Sequence, residues 1–392
     1  MPTSLMTLDA MPSSADFYRL YWNRQPFMVR AAIPEDDIAG LIEADELAGL
    51  SMEEAPRSRM VMTKGAEHDW SCRFGPFEEQ DFAAAGDADW SLLVQNVEQF
   101  HPETAQLLRH FSFAPRWLMD DIMVSFSAPG GSVGPHIDSY HVFLVQGQGK
   151  RRWKVAHQAL GREVTVEGLD LKILKDGFDG DEIEVGCGDV LYLPPRFAHE
   201  GVTLESALTF SVGFLGPKLS ELYSGYAQYL AEIEGADDRY VGAGLLSDSA
   251  GFAISPSAVE SLRDTLAQPL NAKDFSQWLV EFFTESSHED LATYTERDEP
   301  LETEALKAQL QAGAGLYKPP YVKFAVTTPH AGTFCLGVDN HSFVLDEGLL
   351  PLVQDLMNEQ TVTAASHPAL VEHDPTLAWV GELHNHEALE FT

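Results

Sequence analysis

His136 and Asp138 stand two residues apart in the stretch Gly134-Pro135-His136-Ile137-Asp138-Ser139-Tyr140. On an extended chain, residues i and i+2 share a face. An imidazole and a carboxylate can then grip one ion together while Ile137 points the other way. Farther along, Gly188-Asp189-Val190-Leu191-Tyr192-Leu193-Pro194-Pro195 reads as a strand ended by prolines, and His199 lies just beyond it. Two histidines and one carboxylate on one face of a metal, with the other face open, are the ligand set of non-haem Fe(II) oxygenases. His-x-Asp alone is a weak signal in a chain with 14 histidines. A comparable cluster, His288-Glu289-Asp290, follows an apolar helical pattern without glycines and reads as a solvated helix end. His136 and Asp138 differ in context: Gly130, Gly131 and Gly134 allow a sharp backbone turn just before the pair.

The elements that must carry these residues read as short strands broken by Gly, Pro and Asp between Trp90 and Phe214. The clearest run from Ile122, Val142, Arg152, Ile183, Val190 and Leu208. Such spacing means a sandwich or barrel, and the metal spacing selects a double-stranded β-helix, the jelly roll of cupins. Before it, residues 16–30 read as a short helix followed by an edge strand, Met60–Met62 and Trp70–Phe74 as strands, and Pro102–Phe111 as a helix begun by proline. After Gly216-Pro217 the apolar period changes to 3.6, with Leu219, Leu222, Tyr223, Tyr226, Leu230 and Ile233 on one stripe. A polar, glycine-rich connection follows over 235–251. Two more helices are marked by Val259, Leu262 and Leu266, and by Phe275, Trp278, Leu279 and Phe282. The acidic, proline-containing stretch 296–302 reads as a linker into a mixed region with a hairpin at Asp339-Asn340.

Residues Gly134 to Tyr140, followed by Phe143-Leu144-Val145-Gln146-Gly147-Gln148-Gly149-Lys150-Arg151-Arg152-Trp153, resemble the JmjC-type 2-oxoglutarate oxygenases, and most of all the bacterial ribosomal oxygenases. Trp90–Gln95, Asp120–Ser127, Leu191–Gly201 and Ser211–Phe214 match that subfamily in order. The resemblance runs from about Phe17 to Phe283 and thins in the C-terminal quarter. It implies a mostly β fold with α additions: a JmjC/cupin catalytic domain over 1–215 with its barrel core at about 90–215, a helical dimerisation region over 216–295, and a winged-helix-like domain over 296–392. It implies Fe(II) held by His136, Asp138 and His199, with 2-oxoglutarate and O2 at the open positions. Arg151 matches the arginine that takes the distal carboxylate of 2-oxoglutarate, and a guanidinium fork suits that task. Ser125 and Ser211 fall where the family places hydroxyls near the cosubstrate. The alternative for Arg151 is an ordinary exposed Lys150-Arg151-Arg152 cluster.

The resemblance further implies hydroxylation of the β-carbon of an arginine in large-ribosomal-subunit protein sixteen. Asp120 and Asp121 are placed to meet a guanidinium or to serve as turn residues. The alternatives are a JmjC hydroxylase of another residue, such as a ribosomal histidine, and a cupin-like scaffold without turnover. Position 141 departs from the pattern: it is a histidine where close relatives tend to carry an acid. Strand alternation puts His141 on the face opposite Asp138 and Tyr140, so it is not a ligand.

Bulk properties bound these readings. At 392 residues the chain expects two or three domains, and 44% hydrophobic residues is a globular composition. No apolar run reaches the roughly 20 residues of a bilayer span, and Met1–Ser14 lacks the plan of a signal peptide. Three widely separated cysteines, Cys72, Cys187 and Cys335, point to a reducing, cytoplasmic compartment. The formal charge of −36 repels phosphate backbones, which argues against direct nucleic-acid binding, and draws in a basic protein. A solubility adaptation explains the same charge. The partners expected are a basic ribosomal protein and a second copy of the chain.

Overall fold

The computed structural model describes residues 4–63, 70–233, 239, 254–271, 274–286, 294–328 and 330–392. His288-Glu289-Asp290 and all of 235–251 except Arg239 lie outside them. The chain forms two compact units: Met1–Gly216 with Pro319–Tyr321, and Pro217–Lys318 with Val322–Thr392.

Among the described residues the first unit holds twelve strands: β1 (Met6–Leu8), β2 (Phe27–Val29), β3 (Ser58–Met62), β4 (Ser71–Phe74), β5 (Trp90–Val94), β6 (Met119–Ser127), β7 (His141–Gln148), β8 (Arg151–Ala156), β9 (Gly180–Val185), β10 (Val190–Leu193), β11 (His199–Thr203) and β12 (Ala207–Phe214). Nine make one sheet in the order β1-β2-β10-β7-β12-β6-β5-β3-β4, and β11-β8-β9 make a second. This is the jelly roll expected from the strand spacing.

Side-chain alternation sorts the large sheet into two faces. Met60, Leu92, Val124, Phe143, Val145, Phe210 and Val212 point outward into a core shared with Phe17, Leu47, Leu107 and Phe111 from the N-terminal helices. Phe143 packs there at 4.8 Å from both Phe111 and Tyr192. Each such buried aromatic contributes on the order of 2–3 kcal/mol. The neighbours Val142 and Leu144 point inward instead, with Leu191 and Leu193, against Trp153, Val155 and Val185 of the small sheet. The inward face is therefore the one that can line a site.

Two local expectations change. Phe27–Val29 is an internal strand of the large sheet, not an edge strand outside the barrel: β2 pairs antiparallel with β10 and parallel with β1. The true edge, Met6–Leu8, is three residues long and pairs in parallel with a sequence-distant partner, so it leaves no alternating pattern to read. The metal pair also does not sit on a regular strand. His136 makes a single bridge to His199, and β7 begins only at His141. Gly134, at φ 79°, turns the chain there, and a Cβ on it would press on Ile173 at 3.1 Å.

In the second unit, helices span Leu219–Glu232, Pro256–Ala267 and Asp274–Thr284. Beyond them, β13 (Leu316–Tyr317) pairs with β17 (Glu390–Phe391), and β14 (Phe324–Val326), β15 (Thr333–Val338) and β16 (His341–Asp346) form an antiparallel sheet. The expected hairpin turns at Asp339 and Asn340, whose φ values are 40° and 63°. The Asp274–Thr284 helix packs on this sheet, with Val280 buried against Ala325 and Cys335. A Cβ on Gly337 would meet the Val280 carbonyl at 2.2 Å, so the approach is close. The break expected near residue 295 is thus bridged by packing.

Candidate metal centre and cosubstrate pocket

His136, Asp138 and His199 converge, each offering one ligand atom, with all such atoms within 4.8 Å of one another. The His136 Nε2 lies 3.9 Å from Asp138 Oδ1, and the His199 Nε2 lies 3.5 Å from Asp138 Oδ2. The backbone joins the two histidines directly: His136 N–H donates to the His199 carbonyl and His199 N–H to the His136 carbonyl, each at 3.0 Å.

The ring orientation follows from the other nitrogens. His136 Nδ1 is 2.9 Å from the Gly134 carbonyl and His199 Nδ1 is 3.0 Å from the Phe197 carbonyl. A carbonyl only accepts, so each Nδ1 carries the hydrogen and each Nε2 presents its lone pair to the shared centre. Burial pushes His199 down to about 4, which keeps its ring neutral. Two imidazoles and a carboxylate group, aimed at one point, suit Fe(II) and leave further coordination positions open.

These residues open onto a cavity of about 420 Å³. Arg151, Ser125, Ser211 and Tyr140 line it too. Arg151 opens β8 after a turn at Gly149, whose φ is 65° and where any Cβ would strike the Ser206 carbonyl at 2.1 Å. Its side chain is 5% exposed, so it is no surface cluster. Nε donates to Thr203 Oγ1 at 3.2 Å, Nη1 to Thr209 Oγ1 at 3.3 Å and Nη2 to Ser127 Oγ at 2.5 Å. Five N–H donors less these three leave two for a ligand. No carboxylate of the described residues pairs with it, and burial pushes its pKa down to about 10, still charged at neutral pH. A buried cation held only by hydroxyls fits the far carboxylate of a dicarboxylic acid.

Ser125 and Ser211 lie within this cavity, but neither bonds Arg151. The hydroxyls that do, on Ser127, Thr203 and Thr209, were not singled out by sequence. Their signal is faint: Ser125 and Ser127, like Thr209 and Ser211, alternate on one strand face. Trp153 was also missed. Its ring lies 5.3 Å from the Arg151 guanidinium and 5.8 Å from the His199 ring, a wall between the two ends of the site. His141 faces away as alternation requires, stacked on Trp22 at 3.4 Å with Nδ1 2.8 Å from the Tyr192 hydroxyl.

Asp121 lies beside Tyr140, which lines the cavity. A Cβ built on Gly213 falls 3.2 Å from Asp121 Oδ1 and 3.7 Å from the Tyr140 ring, so the carboxylate and the phenol are neighbours. Burial, then Asp120, pushes Asp121 up to about 7.

Residues 106–222 match the JmjC domain family. The chain is 38% identical over 277 residues to the ribosomal protein uL16 3-hydroxylase of Escherichia coli, covering 70% of this chain and 72% of that one. It is 41% identical over 214 residues to a probable ribosomal oxygenase of Haemophilus influenzae, covering 54% and 52% of the two. The solved structure of YcfD, a ribosomal oxygenase from Escherichia coli in complex with cobalt and 2-oxoglutarate, superposes with a TM-score of 0.80 at 31% identity over 96% of this chain and 97% of that one. A jelly roll with this triad, and with this extent of likeness, places the chain in the JmjC-domain ribosomal oxygenase family of 2-oxoglutarate-dependent enzymes.

Proposed function

We propose that the chain hydroxylates the β-carbon of an arginine in ribosomal protein uL16, with His136, Asp138 and His199 as metal ligands and Arg151 as the cosubstrate anchor. The observation that carries this reading is one cavity holding both the convergent triad and a buried guanidinium without an anion. Iron bound by the triad would supply, with 2-oxoglutarate and O2, the oxidising power to place a hydroxyl on an unactivated C–H bond. The protein's own part is placement. Thr203, Thr209 and Ser127 hold the Arg151 fork so that the cosubstrate lies along the inner sheet face. Val142, Leu144 and Trp153 keep that face dry. Asp121 accepts the substrate guanidinium beside the Tyr140 ring, and the arriving cation draws its proton affinity back down.

The test is incubation of purified chain and uL16 with Fe(II), 2-oxoglutarate and O2. The expected result is succinate release and a gain of about 16 Da, one oxygen atom, on an arginine peptide. Asp138→Ala, which removes one of three ligands, abolishes both. Equal succinate from wild type and Asp138→Ala would leave a scaffold, and a gain on a histidine would move the target.

The reading includes a cytoplasmic homodimer. No helix of the described residues is long and apolar enough to cross a membrane. Leu219 and Tyr223 are 72% and 73% exposed on the Leu219–Glu232 helix, and Leu266 stands out from the Pro256–Ala267 helix. So much bare apolar surface on these two helices fits cover by a second copy. Light scattering at micromolar concentration should give twice the 43.2 kDa chain mass, and Tyr223→Glu should halve the particle.

A further inference from the structure

We infer that Arg59 is a substrate-contacting residue: its guanidinium, set in the wall of the metal cavity, binds a main-chain carbonyl of the protein substrate. The inference rests on the substrate class proposed above. Arg59 lies on β3, with Leu93 of β5 opposite it and Ser125 of β6 opposite Leu93. Residues opposite one another in an antiparallel sheet share a face, so the three form one row across the inner wall, and all line the cavity. Strands are about 4.8 Å apart. That puts the Arg59 backbone roughly 10 Å from Ser125, on the far side from Arg151.

The Arg59 Nε is buried and has no hydrogen-bond partner. Its guanidinium also makes no ion pair among the described residues, although its charge is felt at Asp121, Tyr140 and Cys72. Arg151, whose guanidinium is buried in the same cavity, is held by three hydroxyls. A guanidinium that lines the cavity with one donor already unpaired offers its remaining N–H groups to a ligand there. The cosubstrate's carboxylate already has Arg151. A basic segment that presents an arginine brings few anions, but every residue brings a carbonyl. With Asp121 as the guanidinium acceptor, Arg59 grips the backbone of the same segment, and the two together fix which carbon faces the metal.

The experiment compares wild type, Arg59→Gln and Arg59→Lys. Fluorescence anisotropy of labelled uL16, with 2-oxoglutarate present and oxygen excluded, gives substrate affinity without turnover. Succinate release gives the KM for 2-oxoglutarate. Arg59→Gln should weaken uL16 binding about tenfold or more, as loss of a charged donor does, and leave the 2-oxoglutarate KM within about twofold. Arg59→Lys should recover part of the binding. A thermal melt equal to wild type certifies the fold. Unchanged uL16 binding in folded Arg59→Gln overturns the contact alone. A raised 2-oxoglutarate KM with unchanged uL16 affinity overturns it in favour of a cosubstrate role. Failure of wild type to bind uL16 removes the substrate assignment and this inference with it.

Discussion

Arg151 carries the heaviest demand of any side chain in the first unit. It is a cation kept from water by hydroxyls alone, in reach of the metal triad. Lysine would keep the charge but, as a single point, cannot span Thr203, Thr209 and Ser127 at once. We expect Arg151→Lys to raise the KM for 2-oxoglutarate about tenfold and Arg151→Met about a hundredfold, the range for losing bonds to a charged group. Succinate release against 2-oxoglutarate concentration checks this, and an unchanged KM would take the guanidinium out of cosubstrate binding. At this scale much of the chemistry was legible. His136 and Asp138 stand out from the chain's other His–acid pairs because turn glycines precede them and a strand ended by prolines leads to His199. Ser127, Thr203 and Thr209 were not, because a small hydroxyl on a strand looks the same whether it holds a guanidinium or merely fills space. Arg59 was silent for another reason: a missing partner is visible only in three dimensions.

The elements that deliver these side chains were legible wherever both faces of a strand stayed regular, as in β7 and β12. His199–Thr203 was not read as a strand, because Pro194 and Pro195 end the pattern before it and Gly201 interrupts it. The small sheet was invisible as a unit for that reason. Ile122 N–H donates to Glu98 Oε2 at 2.8 Å, and Glu98 is 1% exposed. Burial, then Asp121, pushes this carboxyl from 4.5 up to about 8. Between those values the folded protein holds a proton that the unfolded chain releases. Stability from this group is therefore complete below about pH 4.5 and drains as pH rises toward 8. Glu98→Gln keeps an acceptor for Ile122 and removes the proton. Its melting temperature should therefore gain on wild type from pH 5 to about pH 8 and hold that gain to pH 9. Parallel curves over that range would show that the buried carboxyl is not what titrates.

Over the whole chain, the formal charge of −36 was plain from composition, and its consequence belongs to encounter rather than to fold. A basic ribosomal protein should be drawn in faster than diffusion of neutral partners allows. Raising salt from about 0.05 to about 0.5 M shortens the screening length from over 10 Å to about 4 Å. Stopped-flow association with uL16 should slow at least tenfold over that range, while the rate of dissociation changes little. A salt-independent association rate would reduce the acidity to a matter of solubility. The grouping of the C-terminal half was the least legible feature at this scale. An acidic, proline-bearing stretch reads as a linker, yet the Asp274–Thr284 helix before it lies on the sheet that follows it, and Gly337 permits that approach only because it lacks a side chain.

The reciprocal backbone hydrogen bonds between His136 and His199 also bear on the metal-free protein. They knit two segments some sixty residues apart through main-chain atoms, without help from either imidazole. Stripping the iron, or trimming one ring to a methyl group, leaves that stitch intact, so the empty cradle should hold its shape and accept a fresh ion without refolding. An enzyme built this way should lose its metal to a chelator and regain it without a refolding step.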